Sequence, residues 1–264
     1  MSKKTNEMSQ ILSQEKLASD VYSMWLRTEE IAKEASPGQF VSAYSRDGSR
    51  VLPRPISICE VSEDKRSLRL VYRVVGKGTE EFSMLKAGDR LSILGPLGNG
   101  FPLERAAGKR VFLMGGGIGI PPMVETAKAL DGDKHIIAGY RDELFLKEEL
   151  KRYGRVYTAT EDGSAGTPGN VLDAMMANGL TKEEGREPEI IFACGPAPML
   201  RAIKAYAQEM EIECWISMEE RMACGVGACL ACVCQSKEID EHSKVHNKRV
   251  CKDGPVFLST EVEL

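Results

Sequence analysis

Along the first hundred residues, apolar positions come in short runs of β-branched and aromatic residues, each closed by a turn signal. The pattern predicts strands over 16–26, 39–43, 56–61, 67–75 and 90–94, punctuated by Pro37-Gly38, Gly88-Asp89 and Gly95-Pro96. Stretches 29–35 and 80–85 read as short helices. Many short strands at this spacing predict a small antiparallel β-barrel over residues 1–105. From residue 106 the period changes. Apolar runs at 110–114, 135–139, 156–160, 189–193 and 213–217 alternate with helical patterns at 123–130, 144–153, 170–178 and 198–208. Strands alternating with helices predict βαβ units and an α/β parallel-sheet domain over 106–216. Residues 217–264 follow neither period and form a small C-terminal module. The expected fold class is therefore multi-domain.

Composition narrows the classes further. At 264 residues the chain can hold two domains and a small module. A net charge of −4 supplies no basic field for phosphates, which argues against nucleic acid as a partner. No apolar run approaches the ~20 residues of a membrane span. The N-terminus has two lysines without an apolar stretch behind them, so no signal peptide is expected. The expected location is the cytoplasm, where thiols stay reduced.

The cysteines carry the sharpest signal. Five of the eight fall between Cys224 and Cys251, as Cys224-Gly225-Val226-Gly227-Ala228-Cys229, then Cys232, Cys234 and Cys251. The C-x4-C-x2-C run with a distant fourth cysteine is the plant-type spacing for a 2Fe–2S cluster. Two bridged irons need four thiolates, three of them from a loop tight enough to wrap the cluster. Gly225 and Gly227 let that loop turn and bring its N–H groups to the sulfurs. Cys224, Cys229, Cys232 and Cys251 are the expected metal ligands; Cys234 is surplus and is read as a packed thiol, although it could replace Cys232 or Cys251. A zinc site usually shows two separated C-x2–4-C pairs, and a disulfide framework needs an oxidising compartment. His242 and His246 lie in the polar stretch 235–249 at the wrong spacing for a Rieske centre and are read as solvated.

A cluster only carries electrons, so the remaining motifs must supply a donor or acceptor. Arg54-Pro55-Ile56-Ser57 places a guanidinium, a good pyrophosphate partner, at a strand start. Leu70 to Val75 runs into Gly76-Lys77-Gly78-Thr79. In the second domain a buried strand meets Gly115-Gly116-Gly117-Ile118-Gly119, which departs from G-x-G-x-x-G because Ile120 stands at the third position. Its glycines still allow close backbone approach to a pyrophosphate. Arg141, Asp142 and Glu143 end the next strand; the two carboxylates favour a ribose diol, hence NAD(H), and the arginine favours NADP(H). Cys194-Gly195-Pro196 closes the strand at 189–193, where open α/β sheets bind ligands.

Arg54 to Ser57, Gly78-Thr79 and Gly95-Pro96-Leu97-Gly98-Asn99-Gly100-Phe101 together resemble the flavin domain of the ferredoxin–NADP reductase superfamily. With Glu219-Glu220-Arg221-Met222-Ala223-Cys224 and Val250 to Phe257 added, the whole chain resembles the electron-transfer subunits of class 1B, NAD-dependent dihydroorotate dehydrogenases. The resemblance implies a six-stranded barrel with FAD along Arg54, Pro55, Ile56 and Ser57. It places Val71, Tyr72 and Arg73 along the ring and ribityl chain, and Gly78 and Thr79 at the pyrophosphate. NAD(H) would bind at Gly115, Gly116, Gly117 and Gly119, with Cys194 and Gly195 beside the nicotinamide. It also implies a 2Fe–2S cluster and an FMN-containing catalytic partner, in a heterotetramer of two of each, serving pyrimidine biosynthesis. No catalytic acid or base is expected here. Leu52-Pro53 departs from the family, which often has a further arginine there. Competing readings are the electron-transfer subunit of another flavin/iron–sulfur oxidoreductase, such as an NADH-dependent ferredoxin–NADP reductase; a single-component oxygenase reductase; and a zinc-stabilised binding module.

Overall fold

The computed structural model describes residues 4–240 and 244–264. Six antiparallel strands close into a barrel in the order β1-β2-β5-β4-β3-β6. They are β1 (Thr5–Lys16), β2 (Val21–Arg27), β3 (Phe40–Tyr44), β4 (Arg54–Val61), β5 (Ser67–Arg73) and β6 (Arg90–Leu97). Inward-facing Ile11, Met24, Leu26, Val41, Ile58, Leu70 and Ile93 fill the interior, following the period-2 alternation of strands. Two short helices, α1 (Ile31–Glu34) and α2 (Lys77–Ser83), lie in its connections.

The expected strand over 16–26 is corrected by the structure. Lys16 ends β1, residues 17–20 turn, and β2 begins at Val21, so this stretch spans the turn of a hairpin. The whole of β1 escaped the hydrophobic pattern because Ile11 is its one deeply buried apolar side chain, while Met8 and Leu12 are exposed. The strand is held by backbone pairing to both β2 and β6 instead. Backbone pairing leaves no mark on the sequence.

The second sheet runs β10-β9-β8-β7-β11-β12-β15. Its parallel strands are β7 (Val111–Gly116), β8 (Lys134–Tyr140), β9 (Arg155–Thr160), β10 (Thr167–Pro168), β11 (Ile190–Cys194) and β12 (Glu213–Ser217). The helices are α3 (Pro121–Ala129), α4 (Lys147–Lys151), α5 (Val171–Ala177) and α6 (Ala197–Glu209). The helical pattern over 144–153 shortens to α4, because Leu146 sits at φ +59, outside the right-handed helical region. Asn170 caps α5, accepting from Leu172 N at 2.8 Å, as its side chain suits that position.

The last segment does not stand apart from the sheet. A hairpin of β13 (Val233–Gln235) and β14 (Asn247–Arg249) brackets the stretch 235–249 that was expected to be a polar excursion. β15 (Val256–Leu258) then adds an antiparallel edge to β12. Cys232, Cys251 and Phe257 share one core with Phe112, Ile191 and Ile216 of the parallel sheet and with Phe40 and Leu97 of the barrel. His246 is exposed; His242 lies outside the described residues.

Barrel and parallel sheet meet through a partly buried charge cluster. The Arg69 side chain, 6% exposed, faces Glu60 at 3.7 Å, Glu149 of α4 at 3.6 Å and Glu15 at 3.4 Å. It also donates to Ser23 Oγ at 2.8 Å. Beside it α3 grips the end of β4. Glu125 accepts from Val61 N at 2.8 Å, and Lys128 Nζ donates to Val61 O at 2.6 Å. Burial raises the Glu125 carboxyl above its ordinary range.

Candidate functional site

A cleft of about 650 Å³ runs between the three parts of the chain. The barrel supplies Arg54, Pro55, Ile56 and Ser57 from β4, Val71, Tyr72 and Arg73 from β5, and Thr79 from α2. The parallel sheet supplies Ile118 and Cys194, and the segment 217–222 forms the far wall. Nine residues singled out from the sequence thus line one cavity. It is mostly apolar, as a site for a planar aromatic group should be.

The details show how each group is set. The Arg54 guanidinium lies directly over Gly78, where a Cβ would come within 2.5 Å of its Nε. A side chain at this position would push the guanidinium out of its place over the turn. Thr79 also serves its own turn. Its hydroxyl accepts from Val75 N at 3.0 Å and Gly76 N at 3.3 Å and donates to Gly76 O at 3.1 Å. That side chain therefore shapes the turn. Arg73 Nε pairs with Asp20 at 3.2 Å. The Tyr72 ring stacks on Tyr22, and its hydroxyl donates to Gln14 Oε1 at 3.1 Å. Gln14 Nε2 in turn donates to the carbonyls of Phe82, Ser83 and Leu85. Gln14 belongs to the strand that the hydrophobic pattern missed, and nothing local in sequence marks it.

On the sheet side, the glycine loop packs against the end of β11. A Cβ at Gly119 would overlap the carbonyl of Cys194, and one at Gly116 would overlap Met199. Gly115 packs on Ile120 in the same way, with 2.9 Å from its would-be Cβ to the Ile120 Cα. Gly117 has open space beside it at φ +52. These glycines, together with Gly195, bring two backbone segments together beside the cleft. Burial pushes the Cys194 thiol up to about 12, with Glu219 adding to the rise and a hydrogen bond with Ser217 opposing it. Partial desolvation against the cleft wall likewise raises the Glu219 carboxyl, although the residue as a whole stays exposed. Glu219 and its neighbours entered only as carriers of the family resemblance, without a site role; their place in the cleft follows from the return of the chain after β12. Of the acidic pair at the end of β8, Glu143 accepts from Ser19 N of the barrel at 2.8 Å, and Asp142 pairs with Arg141 at 3.2 Å.

The four expected ligand thiols stand as two pairs. Cys224 Sγ lies 3.3 Å from Cys229 Sγ, and Cys251 sits against Cys232, its N–H donating to Cys232 Sγ at 3.5 Å. Among the described residues no three His, Cys, Asp or Glu side chains gather as a cage for a single ion. Two thiol pairs suit a two-iron cluster, in which each iron takes two thiolates, better than one tetrahedral zinc. Backbone N–H groups point at the sulfurs: Cys229 N to Cys224 at 3.4 Å, Gly227 N to Cys251 at 3.2 Å and Cys251 N to Cys232 at 3.5 Å. Gly225 and Gly227 adopt φ +67 and +83, which this turn requires. Burial pushes the Cys224 thiol up, but the N–H groups of Cys229 and Val226 outweigh it and bring it to about 6. The Cys251 side chain lowers Cys232 to about 6, while the same contact raises Cys251 itself, so the pair shares one proton. Donors that favour thiolate suit a metal ligand.

Two contacts fix the loop. Arg249, buried, donates to Gly227 O at 3.2 Å and pairs with Asp253 at 3.2 Å. Asn99 Nδ2 donates to Asp253 O at 2.9 Å and to Lys252 O at 3.3 Å. The motif from Gly95 to Phe101 therefore clasps the Cys251 segment to the barrel. Cys234 points elsewhere. Its Sγ lies 3.6 Å from Lys248 O, and burial raises its thiol to about 11. Cys234→Ala is expected to keep full iron content, measured by iron assay on anaerobically purified protein.

Residues 219–263 match the iron-sulfur cluster binding domain of dihydroorotate dehydrogenase B. Over 260 residues the chain is 42% identical to a Listeria monocytogenes serotype 4a protein named dihydroorotate dehydrogenase B (NAD(+)), electron transfer subunit, covering 96% of this chain and 97% of that one. The chain belongs to this family of electron transfer subunits. A dihydroorotate dehydrogenase B electron transfer subunit from Enterococcus faecalis is also 42% identical, over 98% of both chains. Among solved structures, the chain is similar to one described as an NADH-dependent reduced ferredoxin-NADP oxidoreductase, at TM-score 0.84 and 30% identity over 97% of this chain and 90% of that one. An Amycolatopsis cytochrome P450 reductase shares the fold over 79% of this chain and 67% of that one, at TM-score 0.64 and 22% identity. The higher identity to the dihydroorotate dehydrogenase subunits favours that reading over the ferredoxin–NADP reductase alternative. Among the described residues no helix is long and apolar enough to cross a membrane.

Proposed function

We propose that this chain relays electrons between the FMN of a dihydroorotate dehydrogenase catalytic subunit and NAD. In this reading the barrel over 1–105 holds FAD, the domain over 106–216 binds NAD(H), and the module over 217–264 holds a 2Fe–2S cluster. The carrying observation is the single cleft in which Arg54 to Ser57, Cys194 and the segment leading into the cysteine loop meet.

FAD held along Arg54 to Ser57 would supply electron-pair exchange with NAD, and a cluster held by the four cysteines would supply single-electron transfer towards the partner. The side chains bind, orient and exclude water. Arg54 would hold the FAD pyrophosphate, its fork matched to phosphate oxygens, while Tyr72 and Val71 wall the ring. The glycine contacts of Gly119 with Cys194 keep the nicotinamide side of the cleft in register. Cys194 stays a neutral thiol at neutral pH, because its environment holds it up to about 12; it packs and does not attack. Cys224, Cys229, Cys232 and Cys251 would hold the cluster. Asp142, with Glu143 committed to Ser19, is the remaining carboxylate for the ribose of NAD. Cytoplasmic residence fits eight cysteines with none in a disulfide, and assembly with two catalytic subunits in a heterotetramer fits the family.

Anaerobic purification with the FMN-containing partner tests the proposal. The expected complex shows flavin and iron–sulfur absorption, and dihydroorotate reduces NAD only when both chains are present. A colourless, iron-free complex overturns it, and so does a catalytic subunit that reduces NAD at full rate alone.

A further inference from the structure

Ser42 lies on β3, in register with Pro55 of β4 on one side and Leu94 of β6 on the other. Its neighbours Val41 and Ala43 belong to the barrel interior. By alternation Ser42 and Phe40 face out of the barrel, and Phe40 is packed in the core shared with Cys232 and Cys251. Ser42 is fully buried, and its hydroxyl has no hydrogen-bond partner among the described residues. Orphaned hydroxyls also occur at Thr5 and Ser9 on β1. What sets Ser42 apart is its neighbour: a Cβ at Gly225 would lie 2.7 Å from Ser42 Oγ. Gly225 follows Cys224 directly and has no side chain to stand between the hydroxyl and the loop.

A buried hydroxyl without a partner is costly, and such groups in native proteins point to a missing acceptor. The acceptors that this loop is built to surround are the sulfurs of a cluster. We infer that Ser42 Oγ donates a hydrogen bond from the barrel wall to a cluster sulfur beside Cys224, and is a positioning residue that raises the cluster's reduction potential. A donor to sulfur favours the reduced state, which carries one more negative charge. The same strand pairs with Arg54 to Ser57, the wall assigned to the flavin. One serine thus couples the potential of the cluster to the barrel that docks against it. Without the docked barrel the donor is lost.

The inference rests on the cluster assignment above, and the test separates the two. The wild-type complex, Ser42→Ala and Ser42→Thr are titrated anaerobically, with the reduced cluster followed by electron paramagnetic resonance. Ser42→Ala is expected to make reduction about tenfold less favourable, a fall of about 59 mV for one electron, while Ser42→Thr stays near wild type. An exchangeable-proton hyperfine coupling should be present in wild type and Ser42→Thr and absent in Ser42→Ala. Should Ser42→Ala lose its iron, Ser42→Cys, a weaker donor of similar size, is expected to show a smaller fall. An unmoved midpoint and unchanged coupling at full iron content overturn the inference. A wild-type chain without iron overturns the assignment beneath it.

Discussion

Cys251→Ser is expected to strip most of the iron from the purified complex and to cut dihydroorotate-dependent NAD reduction at least about a hundredfold. Cys251 is fully buried on a separate segment from the other three thiols. It accepts from Gly227 N at 3.2 Å and pairs with Cys232. Serine keeps the volume but offers a poor ligand for iron, and the three remaining thiols leave one iron short. The barrel does not depend on this thiol, so FAD should stay bound and NADH should still bleach it. Iron assay, the visible spectrum and the two rates, measured side by side, check the prediction. A variant that retained iron and full rate would remove Cys251 from the ligand set and return Cys234 to it.

Loss of Arg69 should produce the largest effect on stability away from the cysteines. Arg69→Ala removes the guanidinium from between Glu60, Glu149 and Glu15 and leaves Ser23 Oγ without its donor. Breaking one side of a buried ionic cluster costs about 3–5 kcal/mol. Glu15 is 65% exposed on its side chain and Glu149 29%, so water takes up part of the charge and the lower end applies. The expected loss is therefore about 3 kcal/mol, read from urea unfolding of the isolated chain. Because Glu149 is on α4 and Glu60 on β4, the barrel and the parallel sheet should also loosen against each other. Limited proteolysis should cut faster near the junction. Arg69→Met, which restores packing without charge, should recover less than half of the loss, because the carboxylates still face one another.

The site divides in the same physical way. Arg54, Ser57, Val71, Tyr72 and Cys194 meet in one cleft from positions over a hundred residues apart; Arg54 was marked locally by a guanidinium suited to phosphate, while Val71, Tyr72 and Cys194 were marked only by the family resemblance. Gln14 carried no such mark, and Glu219 carried only the resemblance, with no role attached. A carboxylate in an acidic run and a glutamine in a polar strand look like solvated surface until the fold sets one in the wall of the cleft and ties the other to Tyr72.

The spacing of the cysteines, the glycine loop and the change from a period of two to alternating strands and helices are properties of the chain itself. They determined a barrel, a parallel sheet and a metal-binding loop, because turn glycines, ligand spacing and hydrophobic period act over a few residues. What only the tertiary structure decided depends on groups far apart in sequence. Backbone pairing holds the polar β1 on both sides. β15 crosses back to edge the parallel sheet, and Asn99 clasps the Cys251 segment. Ser42 comes to rest beside Gly225. Each is set by which surfaces the folded chain presses together, and residue type records that only where a side chain is buried.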